Sequence, residues 1–182
     1  VAVPSRGDLR LVVVSDTHSA PHPALYRLVA ATAPRAILHA GDIGDLTVLD
    51  RLAAIAPVSA VRGNTDGRFS GLLDVLVVTL TADDAPIFRI LMTHVGLGGG
   101  IRLRPEVRAR AEEVASGLVI CGHTHVPLIT RDGALPVFNP GSCGPRRPPL
   151  PITFGVIEWN AGGVALRHVD CETGSAWRPP TV

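Results

Sequence analysis

Apolar positions fall in short runs, separated by stretches that repeat at helical spacing. Residues 9–14 read as a strand buried on both faces, with Val12, Val13 and Val14 β-branched. Pro21 and Pro23 mark a turn, and residues 24–32 then place Leu25, Leu28 and Val29 on one helical face. A strand over 36–39, a helix over 45–54 and a strand over 57–61 follow. This strand–helix alternation predicts right-handed parallel crossovers. The second half is richer in strands, expected at 74–80, 87–93, 118–121, 126–130, 135–138, 152–159 and 164–169, with one helix over 105–115. Pro105 suits a first helical turn.

The 182 residues fit one domain, expected over 9–170, with 1–8 as a loose lead-in and 171–182 as a tail. No internal repeat or linker interrupts it. The chain is 46% hydrophobic and 18% charged, with a formal net charge of +1. That balance argues against disorder and against a broad basic surface for nucleic acid. Aromatic residues at 4% argue against a single-strand stacking surface. All seventeen basic residues are arginine. Cys121, Cys143 and Cys171 form no Cys-x-x-Cys pair and read as buried thiols of a reducing compartment. The apolar runs are strand-length and too short to span a bilayer. With no signal-peptide pattern at the start, the expectation is a soluble cytoplasmic protein without a membrane partner.

Polar residues gather where the strands end. Asp16 with His18, then Asp42, Asn64, His94, and finally His123 with His125 each follow a predicted strand. In open α/β sheets that edge is where ligands bind. The spacing of Asp-x-His and His-x-His puts both side chains of each pair on one side of an extended strand end. Carboxylate oxygen with imidazole nitrogen suits Mn²⁺, Fe, Ni²⁺ or Zn²⁺ better than Ca²⁺ or Mg²⁺. Each motif alone also reads as a cap or a turn; the order of all five makes the pattern specific.

That order, SDTH at 15–18, GDIGD at 41–45, GNTD at 63–66, THVG at 93–96 and GHTH at 122–125, resembles the calcineurin-like metallophosphoesterase superfamily. With NPGS at 139–142, it looks like the small bacterial and archaeal phosphodiesterase branch, related to the fold of a retromer subunit. The resemblance implies an α/β fold: a four-layer α/β/β/α sandwich of two mixed sheets flanked by helices. It implies two divalent ions, manganese foremost, with nickel, iron or zinc as alternatives. Asp16, His18, Asp42 and His125 would hold one ion, and Asp42, Asn64, His94 and His123 the other. A hydroxide bridging the ions would then attack a phosphodiester, or a phosphomonoester, of a small substrate. Asp42, Asn64 and Asp66 are the catalytic candidates. Thr65 stands where many superfamily phosphatases carry a histidine, and threonine is no general acid near neutral pH. Activated or aryl diesters should therefore suffer less than simple alkyl monoesters.

Other residues have weaker claims. His39 reads as a structural histidine or a contact to the ligand residues. Asn139 and Ser142 read as turn formers or supports. Arg146 and Arg147 could offer a guanidinium to phosphate. His22 reads as a loop residue and His168 as unrelated to the site. The glycines of 96–100 do not complete a dinucleotide motif, because Ile101 holds its third glycine place; they read as a mobile loop beside His94. A scaffold on the same fold and a nuclease are the competing functions. Exposed edge strands would permit a homodimer.

Overall fold

The structure, a computed structural model, describes residues 1–2, 9–67, 69, 71–160 and 162–179. Two mixed sheets stack face to face. The first has the order β11-β10-β9-β1-β2-β3, built from β1 (Leu9–Val14), β2 (Ala36–His39), β3 (Val58–Ala60), β9 (Thr153–Asn160), β10 (Gly163–Asp170) and β11 (Ala176–Trp177). The second has the order β4-β5-β6-β8-β7, built from β4 (Val75–Ala82), β5 (Ala85–Thr93), β6 (Leu118–Ile120), β7 (Pro127–Asp132) and β8 (Leu135–Pro140). The expected crossovers appear as the parallel pairs β1 with β2 and β2 with β3; in the second sheet β5 with β6 and β6 with β8 are also parallel.

The run in β1 is apolar because both of its faces are covered. Leu9, Leu11 and Val13 point between the sheets, where they meet Val78, Ile90, Met92, Ile120, Phe138 and Ile157. Val12 and Val14 point the other way, to Leu25 and Val29 of α1 (Leu25–Ala31) and Val48 and Leu52 of α2 (Thr47–Ala53). On the far side of the second sheet, α3 (Pro105–Glu113) lays Val107 and Ala111 on Leu91, Val119 and Val137. These three apolar layers make the α/β/β/α sandwich. A Cβ at Gly155 would overlap the Phe138 ring, so this glycine in β9 lets the facing sheet approach. Among the described residues, no helix is long and apolar enough to cross a membrane.

The ends of the chain differ from expectation. Ala176 and Trp177, placed in the tail, form β11 against His168 and Val169. At the other end Val1 N donates to Thr79 O at 2.7 Å, and Ala2 pairs with Thr81 along the edge of β4. The rest of the expected lead-in, 3–8, and the last tail residues, 180–182, lie outside the described residues. The glycine segment after β5 closes on itself: Gly98 N donates to Arg102 O and Arg104 N to Gly96 O. Leu103 N donates to the buried Asp132 carboxylate, which ties this turn to the end of β7.

Candidate metal centre

Parallel strands β1, β2 and β3 deliver their loops to one end of the first sheet; β5 and β6 deliver theirs to the same end of the second. The loop after β1 runs alongside the loop after β2, with Asp16 N on Gly41 O, His18 N on Asp42 O and Ser19 N on Ile43 O, at 2.9–3.0 Å. Five of the seven proposed ligand residues, Asp16, His18, Asp42, His123 and His125, have φ between 45° and 69°. The two spaced pairs therefore converge by left-handed kinks, not along an extended strand as their spacing suggests. Such backbone costs about 1–2 kcal/mol per non-glycine residue and persists where the surroundings over-determine it.

The surroundings are visible. His39 is wholly buried; its Nδ1 accepts from Gly41 N, so its Nε2–H donates to Thr17 Oγ1, whose hydroxyl donates in turn to Ile43 O. Burial pushes the His39 pKa down to about 4, despite the charges of Asp16 and Asp66, and the ring stays neutral. Asn139 Nδ2 donates to Gly122 O and to Thr124 Oγ1, which holds the loop carrying His123 and His125. Ser142 Oγ donates to Asp16 O. All three side chains thus bond to the loops that carry the donors. Ser15 and Thr17, interleaved with Asp16 and His18, were passed over as supports; Ser15 Oγ donates to Asp16 Oδ2 at 2.6 Å.

Two groups of donor atoms converge. Asp16 Oδ1 lies 3.2 Å from His125 Nε2, and His125 Nε2 lies 3.4 Å from His18 Nε2. Asn64 Oδ1 lies 3.0 Å from His94 Nε2 and 2.9 Å from His123 Nδ1. Asp42 Oδ2 joins them, 3.8 Å from His18 Nε2 and 3.4 Å from His94 Nε2. Donors on one cation at about 2.1 Å stand roughly 3.0 Å apart at octahedral angles and roughly 3.4 Å apart at tetrahedral ones. The observed spacings of 2.9–3.4 Å match, and only the 3.8 Å between His18 and Asp42 is longer. Asp16 Oδ1 and His125 Nδ1 are buried with no hydrogen-bond partner among the described residues. The His94 Nδ1–H is spent on Ala40 O at 2.7 Å, so its Nε2 lone pair faces two oxygens, of Asp42 and Asn64. Only a proton or a cation reconciles that arrangement. The donor set thus fits metal ions.

The electrostatics agree. Burial works to raise the Asp42 carboxyl, but hydrogen bonds from His94 and from the Thr65 backbone hold it far below the ordinary carboxylate range. Asp16 is also lowered: burial opposes ionisation, and His125, Ser15 and the charge of His94 outweigh it. Burial lowers His94, yet the Asp42 and Asp16 carboxylates raise it overall. His18 is lowered, chiefly by burial, which the two carboxylates only partly offset. Asp16, Asp42, His94 and His125 form the buried floor, while Asn64 and His123 sit exposed at the mouth. A small cleft of about 230 Å³ opens beside them, lined by Arg62, Asn64, Asp74, Thr93 and His94.

Some expected residues lie elsewhere. Asp66 is a correction: it is wholly buried, and both oxygens accept backbone N–H from Ile43, with Gly44 and Gly63 donating as well. Its carboxylate shapes the loops and does not face the donors, so the catalytic expectation gives way to a positioning one. Arg146 is also corrected, since it pairs with Glu172. Its neighbour Arg147 instead brings Nη2 to 3.5 Å from His18 Nε2. His168, read as unrelated, donates through Nε2 to Asn139 O at 2.8 Å and so supports the same loop.

The model of the calcineurin-like phosphoesterase superfamily domain matches residues 9–162. A probable metallophosphoesterase of Methanocaldococcus jannaschii is 31% identical over 149 residues, covering 79% of this chain and 73% of the relative. The phosphodiesterase YfcE of Escherichia coli is 30% identical over 116 residues, covering 61% of this chain and 58% of the relative. Among solved structures, wild-type Vps29 of Entamoeba histolytica complexed with Zn²⁺ superposes with a TM-score of 0.69 at 22% identity, over 93% of this chain and 96% of that one. At that identity the likeness concerns the fold.

Proposed function

Because this chain belongs to the calcineurin-like phosphoesterase superfamily, we propose that it is a phosphodiesterase dependent on two divalent cations. Asp16, His18, Asp42 and His125 would hold one, and Asp42, Asn64, His94 and His123 the other. The observation that carries the reading is the position of Asp42 Oδ2, within 3.8 Å of a donor nitrogen from each group. Manganese is the proposed ion, since the mixed oxygen and imidazole donors suit it. When bound, such ions activate water and offset the charge that develops on phosphorus.

The protein's own part is to keep that site cationic and ordered. Only Asp16 and Asp42 bring negative charge; Asn64 and the four histidines bring none. The Nδ1–H of His94, fixed on Ala40 O, leaves Nε2 aimed at the centre. Asp42 accepts Thr65 N–H through Oδ1 at 2.9 Å, which keeps Oδ2 turned to both histidines. Arg147, at the mouth beside His18, can take a non-bridging phosphate oxygen. No group at position 65 protonates a leaving alkoxide, so the favoured substrates are diesters whose leaving group departs as a stable anion.

A series of diesters with a common second arm tests this. With Mn²⁺ present, hydrolysis should fall steeply as the leaving group changes from p-nitrophenyl to phenyl to alkyl. Equal rates across the series would mean that a proton donor operates here after all. Hydrolysis unaffected by chelation would overturn the metal-dependent reading.

A further inference from the structure

A cleft of about 590 Å³ is lined in part by Val126 and Arg146, the chain neighbours of His125 and Arg147. Val126, which directly follows His125, forms one wall, and Arg146 and Leu150 of the proline-rich loop form another. Glu172, Trp177 and Arg178 close it. Arg147, next in the chain to the cleft's Arg146, brings its guanidinium to 3.5 Å from His18 Nε2. Two arginines against one glutamate leave the cleft positive. Arg146 is engaged with Glu172, whereas no ion pair among the described residues holds Arg178. Trp177 is half-buried, and its ring lies nearly perpendicular to that of His168, with centroids 5.6 Å apart and 84° between planes. His168 is itself anchored on Asn139 O. Trp177, on the two-residue strand β11, thus offers an aromatic side chain to a cleft whose walls neighbour the proposed centre in the chain.

Resting on the diesterase reading above, we propose that this cleft receives the non-leaving arm of the substrate and that this arm is a nucleobase stacked on Trp177. The volume falls within the range of small-molecule sites and accommodates a base with its sugar. A π-face stacks on indole whatever the base, and an arginine adds a cation–π or phosphate contact. A single ring holds a single base, in keeping with a small substrate and not with a strand.

The test has a binding arm and a turnover arm. By calorimetry in Mn²⁺, thymidine 5′-phosphate should bind at least about fivefold more tightly than deoxyribose 5-phosphate, the low end of base–aromatic stacking. Trp177→Leu should erase that difference, and Trp177→Phe should keep most of it. In turnover, the ratio of kcat/KM for the p-nitrophenyl ester of thymidine 5′-phosphate to that for methyl p-nitrophenyl phosphate should fall at least about fivefold in Trp177→Leu, mainly through KM. Equal affinity for the two phosphates in the unsubstituted protein, or a difference untouched by Trp177→Leu, overturns the proposal. If the base-dependent affinity holds but no diester is hydrolysed, the cleft assignment stands and the diesterase reading fails.

Discussion

Replacing Asp66 by alanine should unfasten the loops that carry the second group of donors. The carboxylate accepts from Ile43 N at 3.0 Å to each oxygen, from Gly44 N at 3.0 Å and from Gly63 N at 2.9 Å. Ile43 directly follows Asp42 and Gly63 directly precedes Asn64, so one side chain pins two donors. Alanine would strand three amides, each costing about 1–3 kcal/mol if buried without a partner. Gly44 is partly exposed and water replaces its bond, which brings the expected loss to about 4 kcal/mol. That is a large share of a typical domain's stability. Urea denaturation of the metal-free protein measures it. Calorimetric titration with Mn²⁺ should show affinity reduced about tenfold or more, as for other residues that orient ligands. A loss below about 1 kcal/mol with unchanged affinity would refute the loop-pinning argument. Intact stability and affinity with abolished turnover would instead give Asp66 the direct chemical role its motif suggested.

Three further outcomes follow from the same geometry. A Cβ at Gly122 would overlap Ser15 Oγ and stand 2.8 Å from Asp16 Oδ2, so Gly122→Ala should weaken Mn²⁺ binding about tenfold by calorimetry. His39 has a pKa lowered to about 4 by burial, so the unfolded chain takes up a proton before the folded one does as the pH falls. Stability that is full above about 6.5 should be lost through that window, by about 2 kcal/mol between pH 7.5 and pH 5 in chelator, and His39→Gln should remove this part of the slope. Burial pushes the Cys121 and Cys171 thiols up to about 12, and Cys143 well above its usual range, so a thiol reagent at pH 8 should label none of the three until the protein is denatured.

The burial of β1 on both faces was legible because its apolar run lacks alternation, and Leu11 and Val12 face opposite layers as that reasoning requires; the four-layer arrangement itself followed from the family resemblance. The partition of strands between sheets was not legible. Nothing local tells β9 to return beside β1, or β8 to lie beside β6, since those pairings answer to packing between distant segments. Two-residue β11 is too short to leave a pattern. At the site, the residue types and their order located every converging donor. The kinks at Asp16, His18, Asp42, His123 and His125 were hidden, because positive φ in these residues is imposed by neighbouring loops and not by local preference. Asp66 misled for a related reason: a carboxylate in a motif loop has the same spelling whether it faces a substrate or three backbone amides. Arg146 and Arg147 are identical neighbours, and only their partners, Glu172 and His18, separate them.

The central claim is a pair of cations sharing Asp42. Chelated protein should be titrated with Mn²⁺ while hydrolysis of bis(p-nitrophenyl) phosphate and bound metal are followed together. Activity should climb from nothing to a plateau at two ions per chain, and Asp42→Asn should bind neither ion tightly and stay inactive. Activity that survives chelation, or a plateau reached by Asp42→Asn at the same metal content, would contradict it.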